Sequence, residues 1–471
     1  MFVFPVLLFH LNGVTFWTGN NQDTAHRIRS DEFPAGISSG PPGIDAESES
    51  VPRHSPNPVV DAITEVAEHP SWSCHVIDQL SYCVYSRSLC LDHDAHLVLL
   101  TGDPIMQGRP VQMLNNLSPS PWHAPDIDKF SQTSYGQYDI PFRSFFSSAR
   151  YAPTHSFAGA EWMSGWSLVA AFDAENYNLY HYMNKLHAAF IARIYELGGL
   201  KDRSMTSDGG LLQRMRSTNS EFDYAYLFRP PPTSWQKNYG EICLGKKTKF
   251  IYSPRDSVQG EHVPVCFEKA IIPGAALYLA EGLTSSILFR EIAAEMKGIR
   301  VPKPERNLIT IFIRKGNRRI LNMQELVRAL RDTSPALKVT SVDWDGDTDF
   351  ETQAMHMART RMMISTHGSV LNHNAFMELA GVVIEINAFQ FVYPLDNQII
   401  LSRGHHYIRY EEDLFNTKHQ GLQYGYDPFP GMSTQYCMRN VECMHARRDA
   451  DVRVNVSKFM PCFQEALSLI T

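Results

Sequence analysis

The C-terminal half of this 471-residue chain predicts an α/β fold built on a parallel sheet, and three features carry that prediction. Between Asn307 and Asn387, short apolar runs alternate with stretches of helical period. One of those runs stops at His367-Gly368, where a strand would turn tightly into a helix. A cluster of basic residues follows the run that ends at Ile313.

Taken in order, Leu308–Ile313 reads as a strand, Asn322–Arg331 as a helix and Leu337–Val342 as a strand. Phe350–Arg359 reads as a helix, Arg361–Thr366 as a strand, Ser369–Leu379 as a helix and Val382–Ile386 as a strand. Such an alternation requires right-handed crossovers and a parallel sheet. In that sheet all strand C-termini share one edge, so Arg314, Asp343, His367 and Glu385–Asn387 should line a common crevice.

The first half is also α/β in character, with its strand order unreadable. Ser167–Ala171 is an expected buried strand, followed by a helix over Glu175–Leu197. Within it Leu179, Met183, Leu186, Phe190 and Ile194 recur at helical spacing. Further strands are expected at Tyr224–Phe228, Lys249–Tyr252 and Val263–Ile272, before a turn at Pro273-Gly274.

The ends differ in character from the middle. Met1–Trp17 is almost wholly apolar, too short to span a bilayer, and reads as a signal peptide without the usual basic start. Residues 18–58 are rich in Gly, Pro, Ser and acids and read as a disordered stem. The expected organisation is then one α/β domain over 59–300, a second over 301–430, and a tail over 431–471 returning to the first half. Eight cysteines and the sequons at Asn116 and Asn455 favour the secretory lumen, with Cys437–Cys443 a plausible local disulfide. A net charge of −7 offers no broad basic surface for nucleic acid.

The chemistry concentrates at the expected sheet edge. Arg314, Lys315, Arg318 and Arg319 lie in one short loop, with Asn322 placed to cap the next helix. Guanidinium forks match paired phosphate oxygens, so this loop suits a diphosphate. The turn at His367, Gly368 and Ser369 would add backbone N–H groups and the positive end of a helix. Glu385 ends an apolar strand, where a carboxylate can hold ribose hydroxyls or pair with a nearby arginine. The acidic run Asp343–Asp349 fails the calcium-loop pattern and reads better as a helix cap at Thr348 or Asp349 than as a Mn²⁺ site. His181, near a helix start after a candidate strand, could take a proton from an acceptor hydroxyl.

Together, Asn178-Leu-Tyr-His181, Arg314…Arg318-Arg-Ile-Leu-Asn322, and His367-Gly368-Ser-Val-Leu with the strand ending in Glu385 resemble glycosyltransferase family 61. The resemblance runs from about Ala174 to Tyr410. Toward Arg403-Gly-His-His-Tyr-Ile408 it is similar to the O-GlcNAc transferases of EGF-like repeats, with the O-mannose N-acetylglucosaminyltransferases a second branch. It implies a GT-B-like architecture of two Rossmann-like domains, inversion at the sugar carbon, and a UDP-sugar donor with a protein or glycan acceptor. Carried over by position, Arg314 and Arg318 would meet the diphosphate. His367, Gly368 and Ser369 would form the turn beneath it, Glu385 would hold the ribose, and His181 would face the acceptor. No cofactor is then required, and Mn²⁺ dependence is not expected.

One departure stands out: Lys185 occupies a position where relatives commonly carry an aspartate, which raises a catalytically inactive sugar-nucleotide or glycan-binding homologue as an alternative. Xylosyl- and arabinosyltransferases of the same family are others. A dinucleotide oxidoreductase is disfavoured, because no Gly-x-Gly-x-x-Gly follows any candidate strand.

Overall fold

The computed structural model describes residues 71–77, 80–92, 97–101, 150–170, 179–198, 220–227, 233–252, 263–273, 283–298, 305, 307–344 and 348–470. All fall in one compact unit, Val59–Thr471. The signal-like segment, the stem, Asn116, Asn178 and residues 345–347 lie outside the described residues.

The first half builds a mixed sheet from β1 (Ser71–Ile77), β2 (Leu80–Leu91), β3 (Leu97–Thr101), β4 (Arg150–Pro153) and β5 (Glu161–Ala170). After helix α1 (Leu179–Ala192) it continues with β6 (Tyr224–Leu227), α2 (Ser234–Leu244), β7 (Lys249–Tyr252), β8 (Val265–Pro273) and α3 (Leu283–Met296). The order is β4-β3-β2-β8-β5-β6-β7, with β1 beside β2. The block β8-β5-β6-β7 is parallel, while β2 runs antiparallel to β1, β3 and β8. A disulfide joins Cys90 of β2 to Cys266 of β8. The expected spacing on α1 is borne out: Met183, Leu186 and Phe190 are buried, as is Ile194 just beyond its end.

The second half builds β9 (Leu308–Phe312), α4 (Met323–Thr333), β10 (Lys338–Val342), α5 (Phe350–Arg359), β11 (Met362–Thr366) and β12 (Val382–Asn387). Then come α6 (Pro394–Ser402), β13 (His406–Glu411), β14 (Thr417–Lys418), α7 (Thr434–Arg439), α8 (Val441–Arg448), β15 (Asp451–Val452) and α9 (Val456–Ile470). The main sheet is parallel throughout, in the order β10-β9-β11-β12-β13. Side chains alternate strictly between its faces, as the two-residue period of a strand dictates. Met362, Ile364, Val382, Ile384 and Ile386 pack in one cluster, while Met363 and Val383 pack in another. Burial on both faces is why these strands read as unbroken apolar runs. Two α/β sheets with parallel blocks are what the GT-B-like expectation describes.

Three expectations need correction. Among the described residues the tail packs on the second half rather than the first: Phe459, Phe463, Ala466 and Ile470 of α9 join the cluster beneath the second sheet. Ser369–Leu379 is no α-helix but a 3-10 helix, Ser369–Phe376. There Asn372 Nδ2 donates to the Ser369 carbonyl at 3.2 Å and His373 Nδ1 bonds the Val370 carbonyl at 2.9 Å, bonds that compete with an α-helical ladder. Asn322, finally, does not cap α4 with its side chain. Its amide instead clamps the Val454 backbone, donating to the carbonyl and accepting from the N–H, both at 2.8 Å. The cap at Asp349 is as expected, accepting from Thr352 N at 2.7 Å.

Candidate functional site

Parallel topology brings Arg314, Asp343, His367 and Asn387 to the C-terminal edge of the second sheet, just after β9, β10 and β11 and at the end of β12. Arg314 and Arg318 converge there on one acceptor. Arg314 Nη1 and Arg318 Nη1 both donate to the His367 carbonyl, at 3.3 and 3.2 Å. Gly368 lies against the same pair. A Cβ at this glycine would stand 2.2 Å from Arg314 Nη1 and 3.2 Å from Arg318 Nη1. Only a residue without a side chain lets the guanidinium groups close on the turn, and the φ of +150° there also suits glycine.

Like charges so close need compensation. Arg318 donates from Nε and Nη2 to Asp449 Oδ1, at 3.1 and 2.9 Å. Arg448 grips the same carboxylate with Nε on Oδ1 at 2.9 Å and Nη2 on Oδ2 at 3.0 Å. No carboxylate among the described residues pairs with Arg314 itself. Burial, and then Arg318 beside it, lowers its pKa to about 10, so it stays charged at neutral pH. Three guanidinium groups therefore surround one carboxylate, leaving a surplus of positive charge at the rim. Such a surplus favours an anion.

Of the four basic loop residues, only two take part. Lys315 pairs with Asp343 at 2.9 Å, and Arg319 grips Asp451 through Nε at 3.1 Å and Nη2 at 2.6 Å. Asn322, grouped with the donor residues by its sequence position, has its amide committed to the Val454 backbone.

Glu385 is fully buried, not at the surface. His367 Nδ1 meets its Oε1 at 2.7 Å, and the Tyr407 hydroxyl donates to Oε2. Both oxygens are thus engaged by protein groups. The His367 ring also lies edge-on to Phe391 and Tyr393, with centroids 4.7 and 5.3 Å away. This packing fixes the imidazole in one orientation. Two positions along β12, Asn387 is 1% exposed, and neither its Oδ1 nor its Nδ2 has a partner among the described residues. Buried amides are rarely left so, and an unpartnered one at a sheet rim points to a ligand or a water.

Ser369 opens the 3-10 helix, so the turn at Gly368 leads into a tighter helix than expected. Arg403 Nη1 bonds Asn374 Oδ1 at 2.9 Å, and His405 Nε2 bonds the Asn374 carbonyl at 3.0 Å, holding that helix from behind. His181 lies in α1, and its side chain is outside the described residues.

The Glycosyltransferase 61 family model matches residues 168–384. That stretch is a glycosyltransferase family 61 domain. No curated protein matches the chain in sequence. Among solved structures, the chain is similar to the iron-containing dodecameric glycosyltransferase TibC of enterotoxigenic E. coli. Identity there is 9%, over 65% of this chain and 77% of that one, with a TM-score of 0.28. It is also similar to the E. coli heptosyltransferase WaaC bound to ADP-2-deoxy-2-fluoro heptose. Here identity is 8%, over 59% of this chain and 99% of that one, with a TM-score of 0.22.

The family 61 domain begins within β5 and ends within β12. It therefore includes His181, Arg314, Arg318, Asn322, His367, Gly368 and Ser369. It stops one residue before Glu385. Tyr407, Arg448 and Asp449 lie beyond it, and the sequence reading assigned none of them a role. Tyr407 sat inside a stretch already quoted for its resemblance, so a signal existed. For Asp449, 131 residues from Arg318, there was none.

Proposed function

We propose that this glycosyltransferase moves a sugar from a UDP-sugar to a hydroxyl of a protein or glycan, with inversion, in the secretory lumen or outside the cell. The observation that carries the donor half of this reading is the convergence of Arg314 and Arg318 on the His367-Gly368 turn. In the transfer step the acceptor oxygen bonds to the anomeric carbon as the bond to the diphosphate oxygen breaks. The electron pair leaves with UDP, and the acceptor proton passes to a base, for which His181 is the choice. Charge grows on the leaving diphosphate. Fixed guanidinium groups aimed at that charge lower the barrier without needing a metal. Ser369 and the backbone N–H groups at the turn would add donors.

Glu385 takes a different place in this reading from the ribose contact first expected. Its two protein partners make it a brace for His367, whose backbone carries the arginine pair. GlcNAc is the first choice of sugar, from the branch that the C-terminal motif resembles, with xylose and arabinose as alternatives. The disulfides Cys90–Cys266 and Cys437–Cys443 support an oxidising compartment.

The test is a screen of UDP-sugars by mass spectrometry on the purified protein, with and without EDTA. Product from one UDP-sugar, lost in Arg318→Ala, is the expected result. A second reading, an inactive binding homologue, is favoured by Lys185 alone. It predicts UDP binding without transfer or donor hydrolysis, and transfer abolished by His181→Ala would exclude it.

A further inference from the structure

The anion site is completed from outside the matched family stretch. We propose that Arg448 is a third cation on the donor diphosphate and that Asp449 is the positioning residue that sets the guanidinium of Arg318. This inference rests on the nucleotide-sugar reading and names two further residues of the same site.

His445 lies one turn before Arg448, the last residue of α8, and feels the charge of Arg318. Asp449 is the C-terminal cap of that helix, where the negative end of the dipole disfavours a carboxylate. It is held there by two arginines. Burial pushes the Asp449 carboxyl up, but Arg448 and Arg318 outweigh burial and keep it below the usual carboxylate range. Arg318 commits the Nε–Nη2 edge of its fork to this carboxylate and turns Nη1 to the His367 carbonyl. Its own backbone has a φ of +60°, unusual for a residue other than glycine. Remove the carboxylate, and the fork loses both bonds of its Nε–Nη2 edge and keeps the one from Nη1 to the His367 carbonyl.

Arg448 is the more open partner. A quarter of its side chain is exposed, against 15% for Arg318, so an incoming phosphate can reach it. With Arg314 the tally is three guanidinium charges to one carboxylate, an excess suited to a diphosphate.

The helix is firmly rooted. Arg447, with no exposed side-chain area, bonds Asp427 Oδ1 at 2.5 Å, His419 Nε2 at 3.2 Å and Gln390 Oε1 at 3.3 Å. Its guanidinium also lies over the Phe389 ring, 5.0 Å from the centroid. The Cys437–Cys443 disulfide ties α7 to α8 at the other end. Arg448 and Asp449 are therefore presented on a fixed support, as a preorganised site requires.

The experiment measures UDP binding by calorimetry, and transfer kinetics, on the full chain and on Arg448→Gln, Asp449→Asn and Asp449→Glu. Arg453→Gln, an exposed arginine paired with Glu325, serves as control. Arg448→Gln should weaken UDP about tenfold, the scale of one charge-assisted bond, and flatten the salt dependence of binding. Asp449→Asn should leave UDP binding as tight or tighter, since one negative charge is gone, while kcat falls tenfold or more. Asp449→Glu should recover part of kcat. UDP binding by Arg448→Gln equal to the parent overturns the role of Arg448. Parallel loss of affinity, kcat and thermal stability in Asp449→Asn overturns that of Asp449. If the parent chain binds no UDP at all, the nucleotide-sugar reading falls and this inference with it. If the parent binds and the variants behave otherwise than expected, the inference alone fails.

Discussion

Arg314 Nη1 occupies the space a side chain at Gly368 would need, 2.2 Å from where its Cβ would stand. The glycine and the arginine are thus one device, 54 positions apart, and a change at either should register at both. Gly368→Ala forces the guanidinium away from the turn and places a side chain at a φ of +150°. We expect transfer to fall at least tenfold and stability to drop by about 1–3 kcal/mol, the usual cost of a strained backbone. Kinetics with denaturant melts will check both.

Removing either arginine of the pair should act on the rate more than on the fold. Arg314→Ala and Arg318→Ala are each expected to lower kcat on the order of 10²–10³, the range for one electrostatic donor. Arg318→Lys should recover little, because an ammonium cannot grip Asp449 through two nitrogens while also reaching the His367 carbonyl. Steady-state kinetics across donor concentrations decides this. Unchanged kcat in both alanine variants would remove the diphosphate role.

Tyr407→Phe tests the brace behind the turn. The hydroxyl donates to a carboxylate that is fully buried. Leaving that oxygen without its donor should destabilise the fold by about 1–3 kcal/mol. Glu385→Gln should lower transfer by loosening His367, with a smaller effect on UDP affinity than Arg448→Gln. Melting curves and calorimetry separate the two effects.

Asn387→Leu should do two opposite things. Deleting a buried amide with no partner among the described residues removes an unmet hydrogen-bonding demand, so thermal stability should rise by about 1 kcal/mol. Donor affinity should fall if that amide serves the ligand, a stability gain at the expense of function. A variant equally stable and equally tight-binding would mean the amide is idle.

Acid should loosen the fold through two buried histidines. Burial lowers the His373 pKa to about 4, and burial with Arg403 and Arg290 nearby lowers that of His405 to about 3. Above roughly pH 6.5 both are neutral whether folded or not, so they cost nothing. Below it the unfolded chain takes up protons that the folded chain refuses, and stability falls from there down to about pH 4. Each histidine adds a slope approaching about 1.4 kcal/mol per pH unit. The melting temperature should therefore drop between pH 7 and 5, and His405→Gln should flatten that drop.

The second half was legible because its strands are buried on both faces and its helices keep a clean period. Leu308–Phe312 and Val382–Asn387 declare themselves as apolar runs, and parallel topology then places Arg314 beside His367 without further information. The antiparallel strands β1, β2 and β3 escaped notice. Ser81–Leu91 mixes serine, arginine and tyrosine with apolar residues, so neither period stands out. The helix after Gly368 was misjudged because Asn372 and His373 turn back on their own carbonyls, a local preference that length and hydrophobicity hide. The acid beside Arg318 was invisible for a different reason. Asp449 follows a helix of its own, and only the folded chain brings it back to the rim.

The core that buries Met183, Leu186 and Phe190 of α1 does not stop at the boundary between halves. Phe190, Trp235 and Phe289 share one apolar cluster with Phe350, Met363 and Phe376, and Trp235 meets the Phe350 ring at 5.1 Å. A recombinant fragment beginning near residue 301 would carry an uncovered aromatic wall into solvent. It should aggregate on expression, and the nucleotide half will have to be studied with its neighbour attached.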